Sequence, residues 1–516
     1  MTNTREYGRR RLIRLAATAT AGAALLAACT TTTGGDDGGG GGPGGSGEVT
    51  AAGTYPIESL DPHGAQGAST GTQLAGRQIF GRLVEPGPDG TLAGDLATSW
   101  KPDKDVTAWT FTLREGTTFS DGSALDADDV VASFRRMISL AGPNAGNFPG
   151  ATMTRTSATE VVLRSPAPDA SVPGKLSTFY VIPSDVGEDD TAFFNHPVGS
   201  GPFTVDGFTP GESLVLVPNK KYRGDRPAPR RVTVRNIPDL SARMTALRTG
   251  EVDILWGIPD DQLASLKREK DLTVRTVPST AEFTMWFNSS TPALKDAKVR
   301  RAIWQSVDFA TIIGKLYPET GKPADAPVTS VVLGHVPQPP VTYDATAAKA
   351  ALTAAGYDFS KTLRLQFANA EFRPFVQAVV SDLRKAGVRA EPLEKEQATF
   401  TEDLLALKWD INFQQLATPT YDAASNLGRL YTCAAKRNGY CNGELDTLLA
   451  AAGATADKRE RTDLYGRASG IIWRDAVGMY PMAVSIAYAW NSDLTGFTPD
   501  ASGLPDFAGV RTGGGS

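Results

Sequence analysis

Hydrophobic and polar residues alternate with two different periods along the chain after residue 48. In AWTFTLREGTTFSDG, Trp109, Phe111 and Leu113 alternate with polar residues, and this period of two is typical of a half-buried strand. In DADDVVASFRRMISL, apolar residues such as Val130 and Phe134 recur at helical spacing, and acidic residues occupy the start, where the helix dipole favours them. The segment therefore predicts a strand followed by a helix.

The same two periods recur further along the chain as strand–helix–strand units. One unit is RRVTVRNIPDLSARMTALRTGEVDIL, whose helix stops at Gly250, and YDATAAKAALTAAGY is a helix with Asp344 as N-cap and Gly356 as its stop. Beyond it come strand LRLQFA, a helix from Pro374 to Lys385, strand VRAEPL, helix TEDLLALK and strand INFQQLA. Strands that alternate with helices predict mainly parallel sheets, here in at least two α/β lobes without an internal repeat.

The first 47 residues have a different pattern, which indicates export and anchoring. A basic segment precedes an uncharged run, Leu15 to Ala28, which is shorter than the roughly 20 residues of a membrane-spanning helix. We therefore interpret residues 1–28 as a signal peptide, with export by the Sec or the twin-arginine route left open by RRRLIR. LAAC resembles the lipobox of bacterial lipoproteins, so Cys29 is the expected lipidation site, and residues 29–47 form a Gly-rich linker. We expect the protein outside the cytoplasm, anchored to the outer face of the bacterial cell membrane.

Composition agrees with a folded body attached by lipid alone. The chain has 516 residues, of which 41% are hydrophobic and 21% charged, and its net charge is −5. No second long apolar run follows the signal, and the acidic balance disfavours nucleic acid and anionic lipid as partners. The length suggests two or three domains.

Cys433 and Cys441 remain once Cys29 is assigned to lipid. In an oxidising compartment two cysteines this close favour a disulfide. The alternative is a pair of metal ligands, but no histidine lies nearby, so we predict no metal site and no cofactor.

Many segments, in order, resemble one family. They include ESLDPH, IFGRLVEPGPDGTLAGDLATSW, WTFTLREGTTFSDGSALDADDVVASFRRM, VGSGPFTVDGFTPGESLVLVPNKKYRG, PDLSARMTALRTGEVDIL, ALKDAKVRRAIWQSVDFATIIGKLY and GKPADAPV. These segments resemble those of bacterial family 5 extracellular solute-binding proteins, which are the oligopeptide- and dipeptide-binding components of ABC importers.

This resemblance implies a two-lobed periplasmic-binding-protein clamshell of type II, α/β in class. Lobe I would comprise residues 48–69, 196–288 and 486–516, with an inserted subdomain at 70–195, and lobe II residues 289–485. Solute would bind between the lobes and be delivered to a permease powered by separate ATPase subunits, since the chain has no P-loop. We expect a monomer without enzymatic activity.

The resemblance also implies where a peptide would lie, as an added strand between two chain edges. These edges correspond to Gln66–Ser69 and Gln414–Thr418, so the candidate ligand-binding residues are Gln66, Ser69, Gln415, Thr418 and Asp422. Peptide-binding relatives place an Asp near the second edge to hold the peptide ammonium, whereas this chain has the uncharged Thr418 or Pro419 there. Asp422 aligns with a later, structural acid, and the alternative is that Asp422 itself binds the amine. The solute is accordingly a peptide, an oligosaccharide or another small polar molecule.

Three further residues have competing interpretations. Trp286 and Phe287 in FTMWFNSS point to opposite faces of a strand, and we place Trp286 in the cleft, where it could stack on a solute. GASTG fits the nucleophile motif of a serine hydrolase that would use Ser69, but a turn-rich segment rather than a strand precedes it. His63 in LDPH is interpreted as a structural turn residue. An interaction protein that keeps the fold without import is the remaining alternative.

Overall fold

A computed structural model describes residues 47–87 and 90–513. The predicted signal peptide, the lipidation site Cys29 and nearly all of the Gly-rich linker lie outside these residues. No helix in the described part of the chain combines the length and apolar character needed to cross a bilayer.

Nineteen strands form within the described residues. They are β1 (Glu48–Gly53), β2 (Gly81–Arg82), β3 (Val84–Pro86), β4 (Leu92–Gly94), β5 (Ala97–Pro102), β6 (Ala108–Leu113), β7 (Thr152–Ser157), β8 (Glu160–Arg164), β9 (Tyr180–Val181), β10 (Phe203–Thr209), β11 (Ser213–Pro218), β12 (Arg231–Asn236), β13 (Ile254–Trp256), β14 (Leu272–Phe287), β15 (Gly321–Pro323), β16 (Thr362–Phe367), β17 (Arg389–Glu394), β18 (Ile411–Ala417) and β19 (Gly478–Asn491).

Thirteen α-helices accompany these strands in the same described ranges. They are α1 (Thr70–Ile79), α2 (Ala127–Ser139), α3 (Val172–Lys175), α4 (Leu240–Arg248), α5 (Asp260–Leu266), α6 (Ala297–Gln305), α7 (Phe309–Leu316), α8 (Ala345–Ala354), α9 (Arg373–Lys385), α10 (Gln397–Leu405), α11 (Leu427–Leu430), α12 (Gly443–Gly453) and α13 (Lys458–Arg474). Short 3₁₀ helices lie at Pro143–Asn147, Leu176–Thr178, Phe193–Asn195, Ala370–Phe372, Ala423–Ser425 and Cys433–Ala435.

The local predictions agree well with these elements. The segment around Phe111 is β6, and the helix after it is α2, where Asp126 and Asp129 form a reciprocal capping box. Asp344 caps α8, and Gly356 beyond that helix has a positive φ of 69°, a backbone conformation that glycine adopts at little cost. The predicted helix from Pro374 to Lys385 is α9, which begins one residue earlier.

The principal sheet is mixed, so the prediction of mainly parallel sheets is wrong. Its strand order is β10-β11-β12-β1-β13-β19-β14-β18-β16-β17, with β15 paired to β19. The strand–helix–strand units do give parallel pairs, β1 with β12 and β13, and β16 with β17 and β18. The long strands β14 and β19, however, pair with each other and with their other neighbours in antiparallel fashion. Sequence periodicity identifies strands but not the direction of partners that are distant along the chain.

Buried side chains form separate cores that define the lobes. One core contains β1, α1, β10–β13 and the end of β19, and we call this part lobe I. A second, from Leu83 to Val181, belongs to the inserted subdomain. The third begins at Phe283 and ends at Met482, and we call this part lobe II. The third core therefore begins a few residues before the boundary at 288/289 expected from the sequence.

Candidate functional site

Two strands carry the chain between lobe I and lobe II. The first half of β14 pairs with the second half of β19 in lobe I, from Pro278↔Ser485 outwards. The pairing resumes at Glu282↔Ala483 in lobe II, so the residues 279–281 lie opposite the single residue Val484. A break of this kind in a ladder bends the strands locally. The crossing point is therefore the place where the lobes can hinge.

The lobes contact each other on both sides of the crossing point. On one side, Asp260 of α5 accepts hydrogen bonds from the backbone N–H groups of Glu319 and Thr320, at 2.9 and 2.8 Å. On the other, the backbone N–H of Ala170 in the inserted subdomain donates to the carbonyl of Gly453 in lobe II, at 2.8 Å. The inserted subdomain and lobe II are therefore in direct contact.

The first predicted edge of the cleft is a helix start. Gln66 is exposed, and its carbonyl accepts from the backbone N–H of Ser69 at 2.8 Å. Ser69 caps α1, because its Oγ accepts from the backbone N–H of Thr72 at 3.2 Å, and it donates to the Thr72 hydroxyl at 3.0 Å. A capping role accounts for Ser69 without a hydrolytic reaction.

His63 behaves as the structural residue that the sequence suggested. Its ring is buried, and Nε2 lies 2.8 Å from the carbonyl oxygen of Tyr180. Burial lowers the pKa of His63 to about 4, so the ring is neutral at physiological pH. Asp61 beside it is ion-paired with Arg136 at 2.8 Å. This cluster holds the loop before α1 against the inserted subdomain.

The second predicted edge contains one exposed and one fully buried polar residue. Gln415 is exposed on β18, opposite Phe283. Thr418 is 0% exposed, and its backbone N–H donates to the carbonyl of Thr280 at the crossing point, at 3.0 Å. The Thr418 hydroxyl accepts from Nδ2 of Asn426 at 2.9 Å. Thr418 is therefore fixed beside the hinge.

Asp422 is occupied by partners within lobe II. Its Oδ2 is 2.6 Å from Nη2 of Arg461, and both side chains are buried. Its Oδ1 accepts from the backbone N–H of Ala424 at 3.0 Å, which caps the 3₁₀ helix that follows. These contacts match the structural role that the sequence alignment favoured for Asp422 over amine binding.

Trp286 lies in the core of lobe II and not in the open cleft, which corrects the expectation from the sequence. Its side chain is 1% exposed, and its indole N–H donates to the hydroxyl of Tyr431 at 2.9 Å. Alternation does place Trp286 and Phe287 on opposite faces, but β14 is a central strand and both faces are covered here. A solute has no exposed Trp286 ring to stack on.

Cys433 and Cys441 are joined by a disulfide. The backbone N–H of Cys433 donates to Oδ1 of Asp446 in α12 at 3.0 Å. The small closed loop is thereby attached to lobe II, away from the crossing point.

One face of the lobe II sheet carries a row of polar side chains that sequence reasoning missed. Strand register places Glu282, Thr284, Gln414, Asn412 and Gln366 on this face, which we call the polar row. Nε2 of Gln366 donates to Oδ1 of Asn412 at 2.7 Å. Each member of the row nevertheless keeps one buried nitrogen or oxygen atom without a hydrogen-bond partner. Such groups are costly inside a protein unless water or a ligand completes them.

Glu282 is the charged member of the polar row and lies at its hinge end. It is 1% exposed, its Oε1 accepts from Nδ2 of Asn426 at 3.3 Å, and its Oε2 has no partner. Burial raises the pKa of the Glu282 carboxyl well above its ordinary value. The sequence signal was available, because Glu282 is the only charged residue of STAEFTMWF, a segment with the alternation of a strand.

Glu282 lines a cavity of about 130 Å³ next to the crossing point. The other walls come from Ala483 of β19 and from the segment 322–330, which includes Lys322, Asp325 and Thr329. Asp325 is paired with His335 at 2.8 Å. The cavity therefore brings a buried carboxyl together with Lys322 and with Asp325, which is paired to His335.

A larger cavity of about 770 Å³ lies elsewhere on lobe II, along α13 and the segment 338–342. Its lining residues come from α6, α12, α13 and the segment 338–342, and none of them belongs to the crossing point. The cavity at Glu282 is the better candidate for a site that hinge movement affects, because Glu282 and Ala483 are part of the crossing point.

A family model described as "Bacterial extracellular solute-binding proteins, family 5 Middle" matches residues 91–438. The chain belongs to this family. The family description places this solute-binding protein outside the cytoplasm, and both the family and the relatives below are binding proteins by name.

Two curated relatives illustrate the range of named solutes. The protein is 30% identical to the "Probable D,D-dipeptide-binding periplasmic protein DdpA" of Escherichia coli K12, over 81% of this chain and 85% of the relative. It is 24% identical to the "Glutathione-binding protein GsiB" of Escherichia coli O1:K1, over 87% of this chain and 91% of that protein.

Solved structures show the same fold at low identity. A dipeptide binding protein from Pseudoalteromonas, in complex with Met-Leu, has a TM-score of 0.77 at 23% identity, over 90% of this chain and 100% of that one. NikA from Brucella suis, in complex with Fe(III)-EDTA, has a TM-score of 0.81 at 22% identity, over 90% and 99%. These likenesses confirm the predicted two-lobed clamshell, and they leave the solute to be decided from this site.

Proposed function

We propose that this family 5 protein captures a short peptide between its lobes and delivers it to the permease of an ABC importer, from a lipid anchor at Cys29. The energy for transport would come from separate ATPase subunits. Names of relatives that refer to a D,D-dipeptide and to Met-Leu support a peptide as solute.

The observation that carries this proposal is the polar row beside the hinge. A sheet face with several buried but uncompleted hydrogen-bonding groups suits a small polar solute that supplies the missing partners. Glu282, at one end of the row, is part of the crossing point, so movement of the lobes would change its surroundings. Capture of a solute by lobe closure is the function that this geometry supports best.

An oligosaccharide is less well supported than a peptide. Sugar sites use exposed aromatic faces, and Trp286, the aromatic residue that we expected in the cleft, is buried. A serine hydrolase is also less well supported, because the Ser69 hydroxyl is engaged with Thr72 at the start of α1.

Calorimetry and thermal shift on the full chain test the proposed solute. We would titrate a set of L,L- and D,D-dipeptides and, in parallel, a set of oligosaccharides. Saturable binding of dipeptides with an increase in melting temperature supports the proposal. Binding of oligosaccharides alone would contradict it.

The anchor needs a separate experiment in cells. Metabolic labelling with a fatty acid should mark the wild-type protein and not the Cys29→Ser variant, which should be released from the membrane fraction. Equal labelling of both proteins would contradict anchoring at Cys29.

A further inference from the structure

Glu282 is a buried carboxyl group for which the described part of the protein supplies no cation. Its single hydrogen-bond partner is the neutral amide of Asn426, and Oε2 has none. No ion pair to Glu282 occurs within the described residues, although Lys322 lines the same cavity. A carboxyl in this setting is costly when ionised and unsatisfied when neutral, so a partner from outside the described residues would stabilise it.

Other oxygen atoms around Glu282 also lack donors. Thr329 lines the cavity with Glu282, and its buried Oγ1 has no partner. Oδ1 of Asn426, the residue that bonds to Glu282, is likewise buried and without a partner. An ammonium group offers three N–H donors and one positive charge. It would supply hydrogen bonds to the carboxyl and neighbouring oxygens and, at the same time, the cation that the described residues do not provide.

Asn426 connects this carboxyl to the second predicted edge of the cleft. Its Nδ2 donates to both Glu282 and Thr418, at 3.3 and 2.9 Å. Thr418 or Pro419 is the uncharged residue at the position where the resemblance leads one to expect an acid. The negative charge near this position is thus on the neighbouring strand β14 instead of at the end of β18.

We propose that Glu282 binds the ammonium group of the solute, so that the protein selects small molecules with a free amine. The inference rests on the proposed function for the source of the amine, which is the N-terminus of a short peptide. The small side chain of Ala483 supports it, because Ala483 lies between Glu282 and Lys322 in the sheet and leaves space over the strand.

Binding an ammonium should release a proton. Burial raises the pKa of Glu282 and so favours the protonated carboxyl in the empty site, whereas pairing with a cation favours its ionised form. The ionisable groups around it are Lys322 and Asp325 on the cavity wall, with His335 on Asp325, and the buried hydroxyls of Tyr431 and Tyr480. The carboxyl Asp422 on the Asn426 loop is paired with Arg461. Affinity should rise with pH until Glu282 is ionised, and fall when the peptide α-amine loses its proton above roughly pH 8.

The test compares three probes on the full chain by calorimetry: free dipeptides, the same dipeptides N-acetylated, and the diamine 1,4-diaminobutane. Wild type should bind free dipeptides at least about 10-fold tighter than acetylated ones, and Glu282→Gln should remove most of that preference. Glu394→Gln, which removes an exposed carboxylate of lobe II outside this cavity, should leave the ratio between free and acetylated peptides unchanged. Melting curves check that each variant is folded. In wild type alone, the observed enthalpy should differ between phosphate and Tris buffers by an amount that reports proton release.

The outcomes separate this inference from the proposed function. If free and acetylated dipeptides bind wild type equally, or if Glu282→Gln keeps the full preference, the inference is wrong while peptide capture stands. If only the diamine binds, and does so through Glu282, the ammonium site stands and peptide capture fails. Binding of none of the three probes contradicts both.

Discussion

The ion pair between Asp422 and Arg461 should be a major source of stability in lobe II. The two side chains are 7% and 5% exposed, and the shortest distance between their charged atoms is 2.6 Å. Arg461 has two further contacts, with the hydroxyl of Tyr465 at 3.2 Å and the carbonyl of Ala452 at 3.3 Å. Neither contact provides a negative charge, so Asp422 alone neutralises the guanidinium.

Replacing Asp422 with Asn removes the charge with little change in size. The Oδ1 atom that caps the helix at Ala424 is retained, so the cap contributes little to the difference. Breaking one side of a buried ion pair leaves the other charge unpaired, at a cost of about 3–5 kcal/mol. We therefore expect Asp422→Asn to lower the free energy of unfolding by about that amount.

Urea denaturation at pH 7, followed by tryptophan fluorescence, measures the loss. Glu394→Gln is the matched control, because its pair with Arg373 has a distance of 2.7 Å but side chains that are 34% and 53% exposed. An exposed pair of this kind is worth less than about 1 kcal/mol. If Asp422→Asn costs no more than the control and instead abolishes the preference for free dipeptides, Asp422 is a solute-binding residue and the structural interpretation fails.

Three other perturbations have definite expected results. Trp286→Ala should lower the free energy of unfolding, measured by urea denaturation, by about 3–5 kcal/mol, because the residue is buried in the core of lobe II. An unchanged midpoint together with weaker solute binding would show that Trp286 lies in the cleft. Replacing both Cys433 and Cys441 by Ser should lower the free energy of unfolding by about 2–3 kcal/mol under oxidising conditions and leave it unchanged in reducing buffer. Equal losses in both buffers would show that side-chain packing, and not the disulfide, accounts for the effect. Glu282→Gln should gain in melting temperature relative to wild type as the pH is raised from 5. Burial raises the pKa of Glu282, so the folded wild type holds a proton that the unfolded chain loses above roughly pH 4.3, and wild type loses up to about 1.4 kcal/mol per pH unit until the folded pKa is passed. A pH-independent difference between the two proteins would show that Glu282 is already ionised when the site is empty.

Local structure could be predicted from the sequence because its causes are local. Asp126 and Asp344 cap helices through backbone groups within three residues, and Gly356 ends a helix through its own backbone conformation. Alternation likewise assigned Trp286 and Phe287 to opposite faces of a strand. These features need no knowledge of the tertiary fold.

The candidate site could not be predicted because it depends on residues that are distant along the chain. Trp286 is buried since Tyr431, 145 residues later, covers its face of the sheet. Glu282 is recognisable as a site residue only through Asn426, which bonds to it from 144 residues away, and through the cavity wall that includes Thr329. Alternation gives the direction of a side chain, but it does not tell whether solvent, core or cleft lies in that direction.

Small-angle X-ray scattering with and without dipeptides tests the central claim, that two lobes close over a small polar solute, most directly. The radius of gyration of the full chain should decrease when a dipeptide that binds by calorimetry is added, because the lobes hinge at residues 278–282 and 483–485. An unchanged radius of gyration at saturating dipeptide would contradict capture by lobe closure.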